Sequence, residues 1–158
     1  MKGLTTMITR RKALAQGARV AGLLAAAGLL PAQAQAAWSK DAFEAKTLAD
    51  AVKALGGSTP TQSAEVTITG PDIAENGAVV PVGAATALAG VKRLAILVEK
   101  NPSALAAVFD IGDGVDANVS TRVKMGQSSN VLAVAMMADG RVLFAQKEIK
   151  VTLGGCGG

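Results

Sequence analysis

Cys156 is the only cysteine in the 158-residue chain, and it stands among four glycines in Gly154-Gly155-Cys156-Gly157-Gly158. A thiol reacts as its thiolate, and a catalytic cysteine ordinarily has a base, a cation or a helix N-terminus beside it to lower its pKa from about 8.5. None is adjacent here. The chain has no histidine, and the nearest cation upstream is Lys150. Cys-His and Ser-His-Asp catalysis within the chain are therefore excluded, and the thiol must be activated by a partner or act as an acceptor. Glycine lacks a Cβ and takes both signs of φ, so the surrounding stretch predicts a flexible tether rather than helix or strand. Five residues at roughly 3.3–3.6 Å each span about 17 Å, enough to carry a thiol from a domain surface into another protein's cleft. That is the geometry of a carrier arm. The competing expectation is a frayed terminus with an incidental cysteine. A lipoprotein cysteine would instead follow the signal peptide, and a prenylation site needs three residues after the cysteine where two follow.

Other residue patterns carry less chemistry. Asp110, Asp113 and Asp116, interleaved with Gly112 and Gly114, lack the spacing and the bidentate Glu of a calcium loop and read as a solvated turn. Met125, Met136 and Met137 have no histidine or cysteine nearby and read as core filler rather than copper ligands. There is no Cys or His pair for a metal, no Cys-x-x-Cys-His for haem and no Gly-rich strand-to-helix loop for a nucleotide, so no cofactor is expected. Lys92-Arg93, Arg122 and Lys124 form either a solvated face or an anion-attracting one. With no tyrosine and 3% aromatic residues, a sugar-stacking or nucleic-acid platform is improbable.

Residues 1–36 have the pattern of an export signal rather than of a fold. Lys2, Arg10, Arg11, Lys12 and Arg19 form a basic region, Val20 to Leu30 an apolar one too short to span a bilayer, and Ala34-Gln35-Ala36 a cleavage signal. Thr9-Arg10-Arg11-Lys12-Ala13-Leu14 resembles a twin-arginine signal, with Leu14 in the expected place and Ala13 where an aromatic residue is usual. That route is favoured, with Sec as the alternative. The net charge of +4 belongs largely to this segment. Five of the sixteen basic residues lie in it, leaving eleven against twelve acidic ones, a net charge of −1. A nucleic-acid role has no support. The expected destination is the periplasm, where a solitary exposed thiol is blocked, dimerised or chemically used. Because twin-arginine export carries folded proteins and no cofactor is visible, co-export with a partner that lacks its own signal is the economical expectation.

The elements that must position the thiol lie between residues 37 and 153, one small domain. It opens with a pattern that predicts a single helix: Ser39 can cap it, Phe43, Leu48, Val52 and Leu55 share a face with Ala51, and Gly56-Gly57 ends it. Thr59-Pro60 then breaks the chain. Strands are expected at Ala64 to Thr69, Ala78 to Val82, Arg93 to Glu99, Leu105 to Phe109, Ala117 to Met125, Val131 to Met137 and Arg141 to Leu153, the last open to division in two. Asp139-Gly140 predicts a two-residue type I′ hairpin, and Asn76-Gly77 a second turn. Seven or eight short strands imply a mainly β fold, an immunoglobulin-like antiparallel β-sandwich. The core, rich in Ala and Val, is expected to be thin, so burying one face on a partner would help it. The last strand runs directly into the glycine arm, residues 154–158.

The ending Val151-Thr152-Leu153-Gly154-Gly155-Cys156-Gly157-Gly158 resembles that of the SoxY family, the sulfur-carrier subunits of the bacterial thiosulfate-oxidising Sox complex. The likeness extends through Ile73-Ala74-Glu75-Asn76-Gly77, Glu99-Lys100-Asn101-Pro102 and Val119-Ser120-Thr121-Arg122, covering essentially the whole mature chain. It implies an immunoglobulin-like fold, a twin-arginine substrate that travels with SoxZ as a heterodimer, and Cys156 as the covalent attachment site. It further implies that a cytochrome enzyme, SoxAX, joins thiosulfate to the cysteine, that SoxB releases sulfate, and that a SoxCD-type sulfur dehydrogenase, where present, oxidises the remaining sulfur. Two rivals belong to other classes. A ubiquitin-like carrier with a terminal thiocarboxylate needs ATP, which is lacking after export, and leaves Cys156 idle. A structural or adhesive β-sandwich of the cell envelope differs from a carrier only in the last six residues.

Overall fold

The computed structural model describes residues 39–153, together with Arg10, Arg11, Lys12, Leu14, Gln16 and Arg19. The chain divides into two units, Met1–Trp38 and Ser39–Gly158. In the first, the described residues are helical and exposed. Among the described residues no helix is long and apolar enough to cross a membrane.

The second unit begins with two short helices, α1 (Lys40–Glu44) and α2 (Leu48–Ala54), where the apolar spacing predicts one. Ser39 caps α1, its hydroxyl accepting from the Ala42 N–H at 3.4 Å, and Thr47 caps α2, accepting from the Asp50 N–H at 3.1 Å. The break between them has two causes. Thr47 offers the backbone a side-chain partner in place of a helical one. The carbonyls that a continuous helix would use internally are also taken by the segment at 103–104: Ser103 Oγ donates to Phe43 O, and Ala104 N–H to Ala45 O at 3.0 Å. The far end of α2 closes as expected. Gly56 is left-handed (φ 81°), the Gly57 N–H reaches Val52 O at 2.8 Å and the Gly56 N–H reaches Lys53 O at 3.0 Å, which is a Schellman motif.

Nine strands follow among the described residues: β1 (Pro60–Gln62), β2 (Val66–Thr69), β3 (Ile73–Asn76), β4 (Val80–Thr86), β5 (Val91–Val98), β6 (Leu105–Asp110), β7 (Asn118–Val123), β8 (Ser129–Met137) and β9 (Val142–Leu153). Every expected run overlaps a strand, β4 running four residues beyond the expected Ala78 to Val82, and the last is undivided. β1 and β3 are additional, short pieces beside Pro60 and Pro71 whose sequences signal a break. Both run parallel to β9, so the sandwich is mixed at this edge rather than wholly antiparallel. The larger sheet has the order β1-β9-β8-β5-β6, with β3 further along the same edge of β9, and the smaller sheet has the order β2-β4-β7. Between β1 and β3 the chain leaves this edge, forms β2 in the opposite sheet, and returns.

The hairpin joining β8 to β9 differs from expectation. Met137 N–H bonds Arg141 O at 2.9 Å and Gly140 N–H bonds Met137 O at 3.1 Å, enclosing three residues, with Gly140 left-handed (φ 89°). This is a type I turn with a glycine bulge, which needs positive φ at one residue where type I′ needs it at two. Asp139 reinforces it by accepting from the Arg141 N–H at 3.0 Å and from its Nε at 2.7 Å.

The larger sheet is buried on both faces, which explains the uninterrupted apolar runs of β5 and β8. Since strand side chains alternate, Leu94, Ile96, Val98, Val131, Ala133 and Ala135 point into the core between the sheets. Ala95, Leu97, Leu132, Val134 and Met136 point the other way and pack with Ala42, Ala51 and Val52 of the helices. Met125 and Met137 lie in the first core and Met136 in the second, as filler.

Gly57 sits at the tight meeting of the helical layer and this sheet. A Cβ there would lie 2.7 Å from Val52 Cγ1, 2.8 Å from Met136 Cε and 3.0 Å from Val142 Cγ2. Gly57→Ala is expected to lower the unfolding free energy by about 1–3 kcal/mol in urea titration, the usual cost of overpacking. Gly112→Ala, where a Cβ meets nothing within 4 Å, is expected to stay within about 0.5 kcal/mol of the parent.

Candidate functional site

Cys156 and the glycines at 154, 155, 157 and 158 lie outside the described residues. The structure shows the root from which they depart. β9 outlasts its neighbour β8: the antiparallel pairing ends at Ser129 opposite Ile149, while β9 continues to Leu153. Beyond that point its backbone needs other partners, since unpaired strand groups are costly where water is excluded and sticky where it is not.

Both edges find them. On one side β3 pairs in parallel, Ile73 with Lys150, Ala74 with Val151 and Asn76 with Leu153, and the Lys150 N–H bonds Asp72 O at 3.0 Å. Thr152 Oγ1 adds a bond to Glu75 O at 3.1 Å. On the other side, where β8 has ended, the Ser128 hydroxyl stands in for the missing strand and accepts from the Val151 N–H at 2.9 Å.

The support extends a layer further. Asn101 Nδ2 donates to Lys124 O at 2.7 Å, and its Oδ1 accepts from the Gly126 N–H at 3.4 Å, holding the loop that leads to Ser128. Met125, fully buried, anchors the same loop and bonds Gly77 O through its N–H at 2.7 Å. Segments 73–77 and 99–102, far apart in sequence, thus converge on the end of β9. Segment 119–122 belongs to β7 and leads into the same loop. Sequence reasoning singled out these blocks without their common purpose and missed Ser128, because a serine in a polar loop carries no signal of the strand it will cap.

Electrostatics at the root are simple. Lys147 Nζ lies 2.9 Å from Asp72 Oδ1 and donates to Gly70 O at 2.7 Å, filling the stretch of the β9 edge between β1 and β3. The hydrogen bond and charge of Lys147 hold the Asp72 carboxyl below its ordinary value of 3.8. The other cations behave as a solvated face: Arg93 pairs with Asp110 at 2.7 Å and Lys92 with Asp113 at 3.5 Å, while Arg122 and Lys124 are exposed. Among the described residues no group of three or more His, Cys, Asp or Glu side chains is placed to hold a metal. A hollow between segments 86–92 and 111–118 lies at the opposite end of the sandwich. Arg10 and Arg11, the other residues singled out, are helical and exposed in the first unit.

Three comparisons bear on this arrangement. The sequence matches the family model described as "Sulfur oxidation protein SoxY" over residues 51–156. No curated protein gives a significant sequence match. Among solved structures, the sulfur carrier protein SoxY from Chlorobium limicola f thiosulfatophilum is similar at 33% identity with a TM-score of 0.58, over 65% of this chain and 92% of that one. A superoxide reductase (neelaredoxin) variant from Ignicoccus hospitalis matches at 15% identity and a TM-score of 0.49, over 54% and 78% of the two chains, and carries no functional argument.

Two predictions concern the root. Ser128→Ala removes the acceptor for the Val151 N–H and is expected to cost about 0.5–1.5 kcal/mol in unfolding titrations, with faster hydrogen exchange at Val151 than at Ala133. Asp72, with its carboxyl held down in the folded state, contributes stability above the unfolded pKa that is lost as pH falls below 3.8. Its carboxyl carbon shift is expected to titrate below 3.8, and to move up toward that value in Lys147→Met.

Proposed function

The chain belongs to the SoxY family of sulfur oxidation proteins, and from that premise we propose that it is a periplasmic carrier on which thiosulfate-derived sulfur is held covalently at Cys156. It is a carrier subunit rather than a catalyst. The observation that carries the reading is that the family match runs through residue 156, so it includes the cysteine itself and the strand that leads to it. The architecture supports the same reading. A strand held on both edges delivers the chain to a defined point, and three residues later comes the thiol.

A thiolate and thiosulfate can join through an S–S bond only if two electrons are withdrawn, a task for a cytochrome partner of the SoxAX type; no histidine in the sequence stands ready to deprotonate the thiol, so that too falls to a partner. Water then attacks the terminal sulfonate sulfur in a SoxB-type hydrolase, releasing sulfate and leaving a persulfide on Cys156. A SoxCD-type dehydrogenase, where present, oxidises that sulfur. Glycines on both sides of the cysteine allow one arm to enter several narrow active sites in turn, where larger side chains would clash. Arg10-Arg11 direct export, and SoxZ travels as the heterodimer partner.

Intact-mass measurement of the mature protein from thiosulfate-exposed cells is expected to show reductant-sensitive sulfur or thiosulfonate adducts confined to the peptide holding Cys156. Cys156→Ser is expected to abolish them, and an adduct surviving that change would place the site elsewhere. Gly155→Val or Gly157→Val is expected to slow reconstituted turnover by at least about tenfold through misplacement of the thiol, with no change in unfolding midpoint.

A further inference from the structure

We propose that the outer edge of β7 pairs with the same edge of a second copy of this chain, antiparallel about a two-fold axis at Ser120, an inference that does not depend on the carrier reading above. Among the described residues β7 is paired on one side only, to β4 in the smaller sheet. The register runs without a shift from Val80 opposite Val123 to Ala85 opposite Asn118, and the Thr86 N–H closes it on Ala117 O at 2.9 Å. In an antiparallel ladder, residues that bond across the pair alternate with residues whose N–H and C=O point away. Because Ala117 bonds toward β4, so do Val119, Thr121 and Val123, and the backbone groups of Asn118, Ser120 and Arg122 face outward. The Asn118 N–H is taken by Asp116 O at 2.8 Å. Among the described residues the outward N–H and C=O groups of Ser120 and Arg122 have no partner.

The other open edges are protected where this one is not. β1, β2 and β3 are three or four residues long, and β6 departs from regular register opposite Ile96 and Leu97. Shortness and bulges are common defences against strand addition. β7 has six residues in unbroken register, without proline or lysine, and Arg122 is its one charge.

The charges on and beside the strand decide what fits it. An antiparallel pairing centred on Ser120 sets Arg122 opposite Asn118 and Lys124 opposite Asp116, once at each end of the seam. All four residues are exposed, and neither Lys124 nor Asp116 belongs to an ion pair among the described residues. Val119 falls opposite Thr121, a β-branched pair at the closer spacing of non-hydrogen-bonded positions. Other registers fit worse. Centred on Thr121, the seam moves Lys124 to Asn118 and Asp116 to Gly126, losing both ion pairs; centred on Arg122, it sets the two arginines against each other. Centred on Val119, it leaves only residues 118–120 strand to strand. The edge is thus the complement of itself, and a two-fold seam closes at a dimer instead of growing into a filament. It forms about four backbone hydrogen bonds, two between the serines and two from the Arg122 N–H to Asn118 O. So short a seam buries less than the roughly 1,200 Å² of a standard stable interface, and the expected dimer is weak, with a Kd of about 10–100 μM.

The test is sedimentation velocity on the full chain at concentrations that bracket this range, under reductant so that no disulfide through Cys156 contributes. A reversible monomer–dimer equilibrium is expected, with slower hydrogen exchange at the Ser120 and Arg122 amides as concentration rises. Lys124→Asp and Asp116→Lys each set like charges opposite one another at both ends of the seam and are expected to raise Kd at least about tenfold, while the double variant, which exchanges the two signs, is expected to return it to within about threefold of the parent. Ser120→Pro removes an N–H that β4 does not use and is expected to abolish the dimer, whereas Ser120→Ala, which keeps that N–H, is expected to retain it. A chain that stays monomeric above this range overturns the proposal, as does a dimer indifferent to Ser120→Pro, or a double variant as weak as the single ones. Protection of the Ser120 and Arg122 amides only when the proposed heterodimer partner is added also overturns it, by giving the edge to that subunit.

Discussion

β9 must be kept in extended form beyond the point where its antiparallel neighbour stops, and much of the surrounding structure answers to that constraint. A strand is stable only while its backbone groups are paired or solvated, yet β8 gives out at Ser129 and β9 continues to Leu153. A parallel piece of chain, β3, supplies one edge, and a serine hydroxyl supplies the other. The loop bearing that serine is fixed by Asn101 and by the buried Met125.

The same edge explains the course of the N-terminal half of the domain. The chain pairs with the start of β9 as β1, crosses to the smaller sheet as β2, and returns to pair with the end of β9 as β3. Lys147 fills the interval through Gly70 O and Asp72. The outer edge of the longest strand is thereby covered along its length, which removes a template for unwanted strand addition. Behind it, α1 and α2 cover the outer face of the larger sheet, so the modest Ala and Val side chains of this domain are buried in two layers rather than one.

A carrier and an enzyme make opposite demands on a nucleophile. An enzyme surrounds its cysteine with groups that tune it, whereas a shared carrier must present the same atom to active sites with different chemistry and therefore keeps such groups away. Under the carrier role proposed above, a sequence without histidine and with glycines on either side of Cys156 fits that division of labour.

The strand-forming runs, the glycine stop of α2, the Asn76-Gly77 turn, the lone thiol and its lack of a base were legible in the sequence, because each depends on local conformational preference or on simple inventory. Three features were not. The helix break at Ala45–Thr47 depends on Ser103 and Ala104, which take carbonyls from some sixty residues away. The strands β1 and β3 are short segments that become strands only because β9 offers them an edge. The convergence of Asn101, Met125 and Ser128 on Val151 rests on contacts between distant segments. The sequence by itself determined the inventory, one cysteine and no histidine, and that the fold is a mainly β sandwich. Only the tertiary structure decided where the arm is rooted and what surrounds the root, because those depend on long-range pairing, and backbone hydrogen bonding is indifferent to which side chains the paired strands carry.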